Sequence, residues 1–140
     1  MLQIMVLDPK KFRELVFVFL FSCDFGGAPV DIDSDTIMQL YQVSRKNVYN
    51  AREKAEAMHK ALPELDAMIK RVSHSYDLER IHPVERTILR LALYELYIHN
   101  DGVSPDIIIA EAKRLAKKFA TPDAASFVYG ILAAIQTSTK

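Results

Sequence analysis

The sequence is poor in most of what marks secreted, membrane-bound or metal-dependent proteins. One cysteine, Cys23, stands alone in 140 residues and cannot close an internal disulfide, so nothing here demands an oxidising compartment. There is no tryptophan, and four glycines and six prolines are too few for the many tight turns of a sandwich or barrel. An excess of one charge is also missing: 18 Lys and Arg face 18 Asp and Glu. Zero net charge excludes a strong global field that would steer the protein to nucleic acid or membrane, so any such binding must come from a local patch. The longest apolar run of the first helical segment, Leu15–Ser22 at most, falls far short of the roughly 20 residues of a membrane span. Met1–Asp8 is apolar but ends at an acid and Pro9, with no basic start and no small-residue cleavage site, so no secretory signal is read there. Half the residues are hydrophobic and 26% are charged. That composition and length predict one globular domain over 1–140, at work in the cytoplasm.

What is present is helical punctuation. The chain reads as six or seven helices with no convincing strand, an all-α domain. The first covers about Lys10–Asp24; its polar residues crowd the first turn and Leu15–Phe21 is apolar on every side, as in a central, buried helix, with Gly26-Gly27 ending it. Asp33, Ser34 or Asp35 caps a short helix to about Tyr41. Ser44 caps Arg45–Leu62, whose apolar stripe is Val48, Ala51, Ala55, Met58 and Leu62. Pro63 restarts the chain, with Leu65, Met68, Ile69 and Val72 facing inward. Pro83–His99 is the second core helix, apolar over nearly its whole circumference. Gly102 supplies a left-handed residue after it. Ser104-Pro105 and Thr121-Pro122 then repeat one start signal, a hydroxyl cap followed by proline, for helices to about Ala120 and Gln136.

Catalytic chemistry is hard to assemble from this inventory. Asp31, Asp33 and Asp35 have the spacing of a calcium loop's first ligands, but Thr36 stands where its glycine is needed and Gln42 where its bidentate Glu is needed. His59, His74, His82 and His99 lack metal-ligand spacing, and Cys23 reads as a buried, inert thiol. No glycine-rich phosphate loop exists. Glu95 falls on the apolar face of its helix and needs hydrogen-bond donors from a neighbouring helix start or from an arginine such as Arg90. Lys113, Arg114, Lys117 and Lys118 make one basic face on the Ser104–Ala120 helix. That face serves either as a solvated surface favoured by the helix dipole or as an anion contact. The free N–H groups at the start of the last helix add a second place for an anion, partly filled by Asp123. Lys10, Lys11 and Arg13 form another small basic group. Together such groups can hold a nucleic-acid backbone without making the whole chain basic.

Three stretches then carry a resemblance. Val84-Glu-Arg-Thr-Ile-Leu-Arg-Leu-Ala-Leu-Tyr-Glu-Leu96 resembles the central signature of the NusB family of transcription antitermination factors. Ile107-Ile-Ile-Ala-Glu-Ala-Lys-Arg-Leu-Ala-Lys-Lys-Phe119 and Thr121-Pro-Asp-Ala-Ala-Ser-Phe-Val-Tyr-Gly-Ile-Leu132 are similar to its next and last helices, and Lys10-Lys-Phe-Arg-Glu-Leu to its arginine-rich opening. The middle, Gly26–Leu78, matches in length and helical character only. The resemblance implies a seven-helix fold of two roughly perpendicular three-helix groups. It implies a non-enzymatic protein without metal or other cofactor, which binds boxA-type RNA together with NusE, a small-subunit ribosomal protein. It also implies a place in complexes that make RNA polymerase resist termination, and for some members self-association. The same fold precedes some RNA cytosine methyltransferases; the chain stops where the helical domain stops, so none is expected here.

By that resemblance Lys10, Lys11 and Arg13 take the places of RNA-contacting arginines; Lys117 and Lys118, from the basic face of the Ser104–Ala120 helix, are read as RNA contacts beside them. Phe127 matches an aromatic that meets RNA; its periodicity alone favours a core position. Asp123 matches an acid in the same region. Phe21 stands where a partner-surface tyrosine is usual, and Glu85 matches an acid tied to partner binding. The family's Lys-Phe-Val-Asn-Gly reads here Ser126-Phe-Val-Tyr129-Gly, replacing a cation and a base-contacting amide, with Tyr129 able to stack instead; Ala110 and Ala120 replace a common Asn and Gly. A protein–protein adaptor of the same fold, with weak or no direct RNA binding, is the other reading these departures allow.

Overall fold

Capping side chains start most of the helices at the sites the sequence marks. In the computed structural model, which describes residues 7–25, 33–73 and 77–138, the described residues form seven α-helices and no strand. They are α1 (Pro9–Ser22), α2 (Ser34–Tyr41), α3 (Arg45–Lys60), α4 (Leu62–Val72), α5 (Pro83–Leu93), α6 (Pro105–Phe119) and α7 (Pro122–Ser138). Gly26, Gly27, Asp31 and His74 lie outside the described residues. Two compact units divide the chain, 1–60 and 61–140.

In the first unit Asp8 caps α1, its carboxylate accepting the Lys10 amide at 2.9 Å, and Pro9 takes the first helical position. Leu15, Val16, Phe17, Phe19 and Leu20 are buried, and Val18 and Phe21 half-buried, as an apolar-all-round helix requires. Helix α1 packs on α3, whose stripe Val48, Ala51, Ala55 and Met58 is fully buried. The Arg52 guanidinium lies 5.0 Å from the centre of the Phe19 ring. Cys23 is half-buried in a 3₁₀ turn (Cys23–Phe25), its thiol donating to the Phe19 carbonyl, so it is less enclosed than expected. α2 settles the Asp31–Asp35 stretch as far as it is described. The Asp33 carboxylate accepts from the Thr36 amide (3.1 Å) and hydroxyl (2.8 Å), which makes it a cap.

Those two hydrogen bonds hold the Asp33 carboxyl below its ordinary 3.8. A depressed folded-state pKa contributes stability above the unfolded value and loses it as pH falls through the folded one. Asp33→Ala is therefore expected to speed amide exchange at Thr36 and Ile37 at neutral pH, and acidification below about pH 3.8 should lower the protection factors of the same amides, measured against the intrinsic rate at that pH, in the unaltered chain. Equal exchange rates in the two proteins at pH 7 would remove Asp33 as the cap.

In the second unit α5 is the core: Ile88, Leu89, Leu91, Ala92 and Leu93 are all buried, and α4, α6 and α7 each pack on it. Leu65 and Ile69 of α4 are buried, whereas Met68 and Val72 are only half so. The Arg90 fork closes on Asp66, Nε to one oxygen at 2.9 Å and a terminal nitrogen to the other at 3.0 Å. Sequence reading had not named that partner. Arg86 donates to the Leu78 and Ile81 carbonyls (3.1 and 3.3 Å), which fixes a 3₁₀ turn (Leu78–Arg80) beneath the start of α5.

The helix expected to run unbroken to His99 changes form after Leu93. Tyr94–Ile98 is a π-turn, closed by the His99 amide donating to the Tyr94 carbonyl at 2.9 Å. The cause is local. Asn100 donates its side-chain amide to the Glu95 carbonyl (3.0 Å), the acceptor that His99 would use in an α-helix, and to Val103 (2.9 Å). Asn100 also accepts from the Gly102 amide at 2.7 Å, and Gly102 has φ +84°, the left-handed residue foreseen there. Ser104 and Thr121 then cap α6 and α7 through the amides of Ile107 (3.4 Å) and Ala124 (3.0 Å).

Candidate nucleic-acid interface

The last helix presents side chains to two sides of its surface. Residues four apart share one side of a helix, so Asp123 and Phe127 stand together; Tyr129 lies about 200° round the axis from Phe127. The buried row Ala124, Ala125, Val128 and Leu132 holds the helix in the core and leaves these side chains to the surface.

Asp123 and Phe127 line a cleft of about 330 Å³ together with Thr121, Arg80, His82 and Glu85. The 3₁₀ turn pinned by Arg86 delivers Arg80. His82 caps α5 by accepting the Val84 amide on Nδ1 at 3.4 Å, and Glu85 sits in the first turn of that helix. Phe127 is half-buried, with a ring that reaches the cleft wall, so periodicity alone misassigned it when it favoured the core. An aromatic ring edged by a guanidinium, an imidazole and two carboxylates can stack on an unpaired base and bond to its edge. Arg80, His82 and Thr121 were missed. Arg80 lies on, and His82 just after, a turn whose approach to α7 no local pattern announces, and Thr121 was read only as the cap of α7.

Ser126 and Tyr129 belong to the other side. Tyr129 is 47% exposed, with the Lys113 ammonium 4.9 Å from its ring centre. Ser126 is exposed and its hydroxyl reaches back to the Pro122 carbonyl at 3.5 Å. The motif stretch Ser126–Tyr129 therefore faces two different sides of α7.

The basic face of α6 is thinner than its sequence suggests. Arg114 is forked onto Glu111, at 2.8 and 3.0 Å, and Glu111 is only 7% exposed. A guanidinium held bidentate by a neighbour's carboxylate is poorly placed to take a phosphate. Lys113 leans on Tyr129 and Lys118 on Phe119 (5.7 Å); Lys117 and Lys118 are exposed at the end of the helix. The start of α7 is also a weaker anion site than expected. Thr121 already accepts the Ala124 amide, Pro122 has no N–H, and the Asp123 carboxylate adds negative charge beside it.

In the first unit Lys10 is exposed and Lys11 and Arg13 half-buried on the opening turns of α1. Phe21 stands in a ring series with Phe17 (5.6 Å, stacked) and Phe25 (5.1 Å, edge-on), and Phe25 is 71% exposed. Among the described residues no group of three or more His, Cys, Asp or Glu is placed to hold a metal ion, and no helix is long and apolar enough to cross a membrane.

Comparison with known proteins supplies a family. The NusB family profile matches residues 10–137, so the likeness runs through the middle of the chain as well as its ends. The transcription antitermination protein NusB of a Nitratiruptor species is 36% identical over 132 residues, 91% of either chain. The structure of NusB from T. maritima superposes with a TM-score of 0.73 at 30% identity, over 93% of this chain and 92% of that one. A chain in the crystal structure of the antitermination factors NusB and NusE in complex with double-stranded RNA gives 0.78 at 26% identity, over 92% and 96%.

Proposed function

This chain belongs to the NusB family, and we propose that it is an RNA-binding transcription antitermination factor that joins NusE on a boxA-like leader RNA. The carrying observation is the cleft that brings Phe127 and Asp123 of α7 up against Glu85 and Arg80: an aromatic platform edged by hydrogen-bonding groups. Lys10, Lys11 and Arg13 on α1 and Lys117 and Lys118 on α6 contact the RNA backbone. Phe127, Tyr129 and Ser126 meet its bases. Phe21 and Glu85 face the protein partner. The role is non-enzymatic: the protein assembles, and the complex rides in the cytoplasm with RNA polymerase and helps it resist termination. A second copy of the chain is a further partner open to it.

With zero net charge and one of four α6 cations forked onto Glu111, each protein's hold on RNA is modest, and affinity comes from two proteins adding on one strand. Fluorescence anisotropy of a labelled boxA-type RNA, titrated with this protein, with NusE and with both, is expected to show much tighter binding by the pair, and only on the specific RNA. A pair that forms but ignores RNA sequence would overturn the reading. It would favour an adaptor without direct RNA contact, for which the replacement of the family's usual cation and amide by Ser126 and Tyr129 speaks.

A further inference from the structure

On the side of α7 away from Phe127, a groove of about 290 Å³ runs between α6 and α7, lined by Asp106, Ile109, Ala110, Lys113, Tyr129 and Gln136. Asp106, Ile109, Ala110 and Lys113 follow the three-and-four spacing of one α6 stripe, so the groove extends about 10 Å along that helix, from Asp106 at its start to Lys113. Tyr129, 47% exposed, stands at the Lys113 end with a cation against its ring. Lys117, exposed one turn beyond Lys113, continues positive charge out of that end. Four of the six lining side chains carry polar groups. That composition is wrong for the apolar face of a partner helix, which seeks a hydrophobic groove.

It suits a nucleobase. An aromatic ring offers a stacking platform to any base. A lysine beside it and another one turn on offer sites to the flanking phosphates. A carboxylate at the far end accepts from an exocyclic amine, which cytosine has and uracil lacks. We propose that the groove between α6 and α7 is a second base-binding subsite for single-stranded RNA, in which Tyr129 stacks on the base, Lys113 and Lys117 hold its phosphates and Asp106 selects an amino-bearing base. This rests on the RNA-binding reading above. It adds a site on the opposite face of α7 from Phe127, gives a role to Asp106, which sequence reading had not assigned to RNA, and a specific place to Lys113, read before only as part of a basic face.

The test uses the full chain with short labelled oligocytidine and oligouridine RNAs, with and without NusE. Tyr129→Ala is expected to lose about fivefold or more in RNA affinity, and Tyr129→Phe to stay near the unaltered protein because the ring is kept. Asp106→Asn keeps an acceptor but adds a donor, and should erase a preference for oligocytidine over oligouridine. Phe127→Ala reports on the other cleft alone, and far-ultraviolet circular dichroism of each variant establishes that it folds. Folded Tyr129→Ala and Asp106→Asn proteins that bind both RNAs as the unaltered chain does, beside a weakened Phe127→Ala, would overturn the groove and leave the family role standing. Loss of NusE capture with unchanged RNA affinity would make the groove a protein surface and equally overturn it. An unaltered chain that binds neither RNA, with or without NusE, would remove the RNA-binding reading itself and the subsite with it.

Discussion

Arg90→Met is expected to cost the fold about 3 kcal/mol, the lower part of the 3–5 kcal/mol range for a buried pair broken on one side. The loss comes from what is left behind. Asp66 keeps a carboxylate that had two guanidinium N–H partners, and its side chain is only 19% exposed, that of Arg90 10%. Partial access of Asp66 to water places the figure at the low end. A domain of this size has about 5–15 kcal/mol in total, so the variant should show a clearly lower urea midpoint. Replacing both partners, Arg90→Met with Asp66→Leu, removes the stranded charge and should restore most of the loss. The sign of that coupling is the discriminating quantity. If the double variant is no more stable than Arg90→Met alone, the fork is not what holds α4 to α5, and the apolar contacts of Leu65 and Ile69 carry that packing.

The largest functional effect is expected at the other end of the chain. Each cation that meets a phosphate of single-stranded RNA contributes about 0.7 to the slope of log affinity against log salt. Replacing Lys10, Lys11 and Arg13 together by alanine should flatten that slope by about 2 and, at 0.1 M salt, weaken RNA binding about a hundredfold, with the two proteins converging as salt approaches 1 M. Lys10 is exposed, and the half-burial of Lys11 and Arg13 suits long side chains that pack their stems and extend their heads. An unchanged salt slope would take the α1 group out of the RNA contact, whatever happened to affinity at one salt concentration.

How much of this was legible beforehand depends on the distance over which each feature is decided. Ser104-Pro105 and Thr121-Pro122 mark the starts of α6 and α7 because a cap is a matter of three residues. The core helix α5 was readable from its own circumference. The Arg90–Asp66 fork joins residues 24 apart, and nothing local selects that acid among 18. The Glu111–Arg114 fork was within reach, since an acid three residues before an arginine on one helix face is a known pair; reading the four cations as a block passed over it. Phe127 and Tyr129 look like one motif in sequence, yet the 100° step per residue already separates them. The cleft around Phe127 was not legible, because Arg80 and His82 arrive on a turn fixed by Arg86.

The π-turn at Tyr94–Ile98 amounts to one inserted residue. Delete a residue from it and the hydrogen bonds can close in ordinary α spacing. Every side chain beyond the deletion is then carried round by about 100°, and Asn100 no longer meets the carbonyl of Glu95. The turn thus works as a phase adjuster between two helices of fixed pitch. It sets the angle at which the chain reaches Gly102 and Ser104, and with it the side of α6 that offers Asp106 and Lys113 to α7. A chain of this fold lacking that residue must recover the phase elsewhere, by a longer connection before Ser104 or by a different stripe on α6.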